Sequence, residues 1–323
     1  MTAWLLRRLA AGFAIVFAVV SFSFVAVHLA PGTPFLPQEG RAIDPVAVSR
    51  LRYQFGLDQP LPRQYVRYLA AVARGQLGES FSQRRPVAQA IATAIPNTVV
   101  LAGAALVIDF LLGIAIGVYQ AARARRRSDV ALTNLTLFLY SLPVFWLGLV
   151  LLLVFGQWLH WFPVGGVTDP VLYESLSLGG KLLDRLRHLA LPALTLGLVG
   201  AAGTARFQRA AVLEALGQDY VRTARAKGLR ESAVLLRHAL RDALMPVITL
   251  LGLALPFLLT GAVLVETVFA WPGLGKLAAD AIAARDYPLV LATTLCASAA
   301  VVAGSLIADL LAALADPRVR LAE

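Results

Sequence analysis

Six stretches of this chain are apolar for long enough to cross a lipid bilayer, and nothing else in the sequence narrows the fold so far. They are residues 9–30, 98–119, 131–158, 189–205, 246–269 and 289–314. A hydrocarbon core about 30 Å thick takes about 20 residues of α-helix to span. One such run could be a signal sequence, but six make an all-α polytopic membrane protein with six transmembrane helices. Of the 323 residues, 59% are hydrophobic and 15% charged, against about 45–50% and about 25% in an ordinary soluble domain. That surplus of apolar side chains needs lipid as its solvent.

The runs are not alike. The first follows Arg7 and Arg8 as a signal peptide would, but His28, Leu29 and Ala30 before Pro31 make a poor small-x-small cleavage site. It reads as a retained signal anchor. The third is expected to bend at Pro143, and the fifth contains Pro256. The fourth is the least apolar, yet it carries Gly197, Gly200 and Gly203, small residues that let helices approach closely. That suits a helix buried inside the bundle.

A net charge of +10 raises the possibility of a nucleic-acid binder. The basic residues, however, sit in loops between apolar runs and form no separate basic domain, so membrane lipid is the expected surroundings and nucleic acid is not an expected partner. Cys296 is the single cysteine, which excludes an intrachain disulfide. His28, His160, His188 and His238 lie far apart with no metal-ligand spacing, and no metal or cofactor is expected.

Six spans put both termini on one side. That side carries 16 Lys and Arg and the other 13, of which 8 lie in the long segment 31–96. Segments of that length count little toward orientation. Setting them aside leaves 16 against 5, and both termini are expected in the cytoplasm.

Two segments outside the spans are too long to be turns. The outer one, 31–96, holds a helical stretch near 63–74, with Tyr65, Leu69 and Val72 at i, i+4 and i+7. The inner one, 208–245, contains EALGQDYVRTARAKGLRESAVLLRHALRDALM, which begins at Glu214 and leads to Pro246. Asp219 suits the N-cap of a short helix that ends near Lys227, and Gly228 stands where a left-handed residue closes a helix. A second amphipathic helix to about Leu244 is expected to bury Leu229, Ala233, Leu236, Leu240 and Leu244 along one stripe. Arg222, Arg225 and Lys227 project from a surface of small residues. Such a helix is shaped to dock into a cleft of another protein; the competing reading is an interfacial helix whose arginines hold anionic headgroups.

The tract from Tyr220 to Pro246, YVRTARAKGL followed by RHALRDALMP, resembles the EAA loop of ABC importer permeases in the form used by the dipeptide/oligopeptide/nickel family. Asp242 stands where Asn is usual there. The likeness extends over GAVLVETVFAWPGLGKLAADAIAARDYPLV at 261–290, the ending ADLLAALADPRVR at 308–320, FGLDQPLPRQYVRYLAAVARGQLGESF at 55–81 and APGTP at 30–34. The resemblance implies a type I ABC importer permease fold. Its domains would be an N-terminal helix and outer segment (1–94), a five-helix transmembrane domain (95–316) and a cytoplasmic tail (317–323). It also implies that Asp219, Tyr220, Arg222, Thr223, Ala224, Arg225, Ala226, Lys227 and Gly228 receive motion from the ATPase, with Ala224 in a tight ATPase cleft. The implied partners are two cytoplasmic ATP-binding subunits, an extracytoplasmic solute-binding protein and a second, related permease, since the long outer segment marks the sub-type that forms heterodimers. Relatives carry peptides, nickel chelates, glutathione and some sugars.

The chain offers no ATPase site of its own. Gly273-Leu274-Gly275-Lys276-Leu277 would need Gly at Ala270 and Ser or Thr at Leu277 to make a phosphate loop. A membrane-embedded enzyme would need a nucleophile with its base, or clustered His and carboxylates, at one depth, and no such cluster is evident; a receptor or scaffold would leave the loop unexplained. Asp109, near the middle of the second span, is either a pathway residue that contacts a cationic substrate terminus, or a packing partner bonded to Ser, Thr or Asn of a neighbouring helix or a protonated acid, and the second reading is favoured. Asp309 reads as structural. Glu266, with the turn Trp271-Pro272-Gly273, is expected at the outer gate or at the docking surface for the binding protein.

Overall fold

Hydrophobic length becomes helix wherever the computed structural model describes the chain, which is over residues 2–30, 53, 58–247, 250 and 262–315. In order the helices are α1 (Thr2–Leu29), α2 (Leu61–Ala73), α3 (Val87–Ala122), α4 (Arg127–Ser141), α5 (Val144–Trp158), α6 (Leu178–Leu216), α7 (Asp219–Ala226), α8 (231–243), α9 (Val263–Val268), α10 (Leu274–Ala283) and α11 (Tyr287–Ala315). Among the described residues, α1, α3, α6 and α11 are each long and apolar enough to cross a membrane. They correspond to the first, second, fourth and sixth expected spans. The fifth, 246–269, lies largely outside the described residues; α9 is its end.

The third expected span is more sharply broken than a proline kink. α4 and α5 meet at 103° around Leu142 and Pro143, so it is two short helices, each about 22 Å long at 1.5 Å per residue. α5 widens into π-helical turns over Leu152–Trp158. At 39 residues α6 is about 58 Å long, about twice the hydrocarbon thickness, so the expected 189–205 is only its middle. Ser177 caps its start, accepting from Gly180 N at 3.3 Å. As its glycines suggested, α6 is the most buried of the long helices.

The contacts group the chain into two units, 1–96 with 273–299, and 97–272 with 300–323. In the first, the opening turns of α3 (Val87, Ala90, Ile91, Ala94) pack with Leu274, Leu277 and Ala281 of α10 and with Leu289 and Ala292 of α11. α2 lies along α1, half-buried at Tyr65, Leu69 and Val72 as its periodicity predicts. Ser21 Oγ and Tyr65 Oη are 2.6 Å apart, and the Phe24 ring lies 5.2 Å from Tyr65 and 5.5 Å from Tyr68.

In the second unit α3 and α6 approach through small residues contributed by both helices. A Cβ added at Gly113 would lie 2.6 Å from Thr204 Cβ, and one at Gly117 would lie 2.7 Å from Ala205 O. On α6, a Cβ at Gly197 would meet Ile108 Cγ2 at 2.6 Å. With lipid tails as apolar as the side chains, such close backbone contact is what drives association. Leu101, Ala105 and Leu106 of α3, Leu191 and Leu196 of α6, and Val265, Phe269 and Trp271 form the core toward one end of this unit.

Candidate functional site

The inner loop folds as a small apolar cluster with a charged exterior. α7 buries Val221 and Ala224 and exposes Asp219, Tyr220, Arg222, Thr223, Arg225, Ala226, Lys227 and Gly228. Its buried pair joins Ala121 of α3, Val212 and Ala215 of α6, and Val234, Ala239 and Ala243 of α8. The helix closes as a Schellman turn: Gly228 N donates to Arg225 O at 2.9 Å and Leu229 N to Ala224 O at 3.4 Å. Gly228 sits at φ +77°, the left-handed conformation that its position in the sequence predicts.

Three expectations about this loop need correction. Asp219 is not the N-cap: the capping position is Gln218, whose side chain makes no capping bond, and Asp219 occupies the first turn, where a carboxylate favours the helix N-terminus. Ala224 does not face outward into an ATPase cleft; it is 5% exposed and belongs to the chain's own core. The apolar stripe of α8 also differs, because Val234–Ala239 is a π-helical stretch. Its extra residue per turn brings Val234 and Ala239, five apart, onto one face with Ala243. Leu229 and Leu236, assigned inward by a 3.6-residue period, are exposed.

The exposed charges are partly paired. Arg225 donates from Nε and Nη2 to the Glu231 carboxylate at 2.8 and 3.2 Å, which holds the Glu231 carboxyl below its usual range. Arg222 meets Asp219 at 3.2 Å. Partial burial, with a hydrogen bond to Asp242, pushes the Tyr220 phenol up to about 12. Asp242, the departure from Asn, thus has a partner on the same surface.

Within the bundle, Asp109 is 8% exposed and accepts from Thr204 Oγ1 of α6 at 2.7 Å. Gly200, one turn earlier on α6, leaves the room it needs: a Cβ there would lie 2.7 Å from Asp109 Cγ. A threonine of a neighbouring helix is the kind of partner that the packing reading of Asp109 expects.

The segment around Glu266 is a buried knot. Glu266 is wholly buried and accepts from Thr98 Oγ1 at 2.7 Å, while its backbone O accepts from Trp271 N at 2.7 Å. Trp271 is 1% exposed and donates from Nε1 to Asn97 O at 3.0 Å; Asn97 Nδ2 returns a bond to Pro272 O at 2.9 Å. Of the two expected roles, outer gate or docking surface, this burial speaks against the docking surface for the Glu266 and Trp271 side chains and leaves the gate untested. Pro272 is exposed, and Gly273 is buried at the start of α10. Among the described residues no group of three or more His, Cys, Asp or Glu could hold a metal ion.

Residues 113–321 match the family model described as binding-protein-dependent transport system inner membrane component, and residues 1–102 match the N-terminal model of the same membrane component. The chain belongs to this family of ABC importer permeases. Its relatives include the oligopeptide transport system permease protein AppB of Bacillus subtilis, 38% identical over 99% of both chains. The di/tripeptide transport system permease protein DppB of Pseudomonas aeruginosa is 40% identical, also over 99% of both. The glutathione transport system permease protein GsiC of Pectobacterium atrosepticum is 38% identical over the same share. The permease is therefore an integral inner-membrane transport component.

Two buried carboxylates of the permease were not singled out by sequence reasoning. Asp286 is fully buried and caps α11, accepting Leu289 N at 3.2 Å on Oδ1 and Ser80 Oγ, Ser82 N and Ser82 Oγ at 2.5, 2.9 and 2.8 Å on Oδ2. An Asp two residues before Pro288 at the head of an apolar run is a legible helix start; its serine partners, more than 200 positions away, are not. Asp129, 3% exposed in the first turn of α4, is gripped by both Nε and Nη2 of Arg209, each at 2.9 Å.

Proposed function

We propose that this permease forms half of the translocation pathway of an ATP-driven importer of peptides or a related small solute such as glutathione or a nickel chelate, and that its ATPase subunits engage the outer face of α7. The names of its relatives support the substrate class. One observation carries the coupling role: α7 is anchored by Val221 and Ala224 and turns Tyr220, Arg222, Thr223, Arg225, Ala226, Lys227 and Gly228 outward. A helix anchored along one side and charged along the other can be pushed without being detached.

The assembly is a pair of related permeases, two cytoplasmic ATP-binding subunits and an extracytoplasmic solute-binding protein. The excess of Lys and Arg on one side, 16 against 5, supports cytoplasmic termini and a cytoplasmic α7. We divide the chain functionally at residue 94, with the transport domain at 95–316 and a tail at 317–323. Closure of the ATPases displaces α7, and the shared cluster passes that displacement to the inner ends of α3 and α6. The bundle then alternates between inward- and outward-open states. Asp109 serves packing through Thr204 rather than substrate contact. An outer-gate role is kept for the exposed tip at Pro272.

The test uses the assembled complex in proteoliposomes with its binding protein. Arg222→Glu and Ala226→Glu should lose the ATPase on purification, or lose peptide-stimulated hydrolysis and uptake, while the permease stays inserted. Full ATPase retention and full peptide-driven uptake in both variants would falsify the coupling assignment.

A further inference from the structure

α6 ends at Leu216 and α7 begins at Asp219, so the helix that enters the bundle is almost continuous with the one the ATPase would move. What fixes the inner end of α6 against its neighbours then decides where that motion goes. Against α3 the contact is made by small residues, Gly113 facing Thr204 and Gly117 facing Ala205 and Gln208. A surface of that kind sets how closely the two helices approach.

Against α4 the contact is polar and directional. Arg209 donates from Nε to Asp129 Oδ1 and from Nη2 to Asp129 Oδ2, both at 2.9 Å. Two parallel bonds to a carboxylate set orientation and register as well as distance. Asp129 also accepts from Arg125 N in the α3–α4 turn at 2.9 Å and from Thr133 Oγ1 of α4 at 3.4 Å, and Thr133 Oγ1 accepts from Gln120 Nε2 of α3 at 3.1 Å. One buried carboxylate thereby holds α6, α4 and the turn from α3.

α4 in turn leads through the 103° bend into α5, where a Cβ at Gly148 would lie 3.3 Å from both Phe269 and Thr195 side chains. We infer that the Asp129–Arg209 fork is the positioning contact that converts movement of α7 and α6 into movement of the bent pair α4–α5. This rests on the reading of α7 as the coupling helix. The deciding quantity is the number of solute molecules moved per ATP.

The experiment compares Asp129→Asn, Arg209→Lys and the double variant Asp129→Asn/Arg209→Gln in the complete complex, reconstituted with its binding protein and a tripeptide. Assembled complex, ATP hydrolysis and uptake are measured together. Asp129→Asn should still assemble and support hydrolysis, but uptake per ATP should fall about tenfold. Arg209→Lys, which keeps the charge and loses the fork, should fall less. The double variant leaves neither charge without its partner, so it should assemble at least as well as Asp129→Asn without recovering uptake per ATP. Uptake and hydrolysis declining together in proportion to assembled complex, an unchanged ratio, or loss of the complex in all three variants would each overturn the inference and leave the fork a folding contact. Absence of ATP-driven uptake by the wild-type complex would instead sink the functional reading on which it rests.

Discussion

The loop around α7 and the turn at Trp271 both gather charged and aromatic residues next to the spans, and they are built in opposite ways. The loop hides small aliphatic residues (Val221, Ala224, Val234, Ala239, Ala243) and leaves its arginines outside. The turn hides Glu266, Phe269 and Trp271, and satisfies them through Thr98 and Asn97 of α3. Ala270 adopts φ +47° at its centre, and Gly166 N donates to Phe269 O at 3.0 Å. A segment to be gripped by another protein keeps its polar groups available, whereas one that fastens helix ends uses them internally. Chemical prominence in a motif therefore does not separate recognition from fastening; burial does.

The sharpest way to break this contrast is at Trp271. Trp271→Ala removes a fully buried ring and frees the Asn97 carbonyl, and should cost about 3–5 kcal/mol, read as a lowered thermal midpoint of the purified permease. An unchanged midpoint with lost binding-protein-dependent uptake would return the turn to the role of a gate.

On the other side of the comparison, two alanines two residues apart should behave differently. Ala224→Glu forces a carboxylate into the loop's own core and should destabilise it by roughly 3 kcal/mol. Ala226→Glu, on the outward face, should leave stability within about 0.5 kcal/mol yet weaken ATPase retention. Protease sensitivity of the loop, set beside ATPase co-purification, distinguishes the two. Equal protease resistance would mean that Ala224 faces outward after all.

A smaller effect is expected where a carboxylate is fastened inside the bundle. Thr204→Val takes the hydroxyl from Asp109 and should cost about 1–3 kcal/mol, whereas Asp109→Asn, which can still accept that bond, should cost less. Uptake per assembled complex should be normal in both. Reduced uptake with full assembly in Asp109→Asn would make it a pathway residue.

The smallest expected effect is the pH response of the exposed Arg225–Glu231 pair. Because Arg225 lowers the Glu231 carboxyl in the folded state, the stabilisation is present above the unfolded carboxyl value and is lost as pH falls through the lowered one. A carboxyl titration of Glu231 should move upward in Arg225→Met. No movement would mean that the pair is not formed in solution.

Much of this was legible in the sequence for local reasons. A run of apolar residues has one stable form in lipid, so length alone located α1, α3, α6 and α11. The proline at 143 announced a break but not its 103° angle, which depends on what α4 and α5 pack against. Gly228 was readable because a left-handed residue is a property of its own backbone. The face of α8 was not, since a π-helical turn changes the period that a helical stripe assumes.

By itself, then, the sequence determined which described segments form helices long and apolar enough to span, where Lys and Arg concentrate along the chain and, to within a residue, where the short helix α7 begins and ends. These follow from side-chain hydrophobicity and backbone geometry within about a helix length. Tertiary structure alone decided what the buried polar residues hold: Asp129 with Arg209, Asp109 with Thr204, Glu266 with Thr98, Asp286 with Ser80 and Ser82. The members of these pairs are separated by 80, 95, 168 and 204–206 positions. A carboxylate's role depends on which donor the fold brings within about 3 Å, and no local pattern encodes that distance.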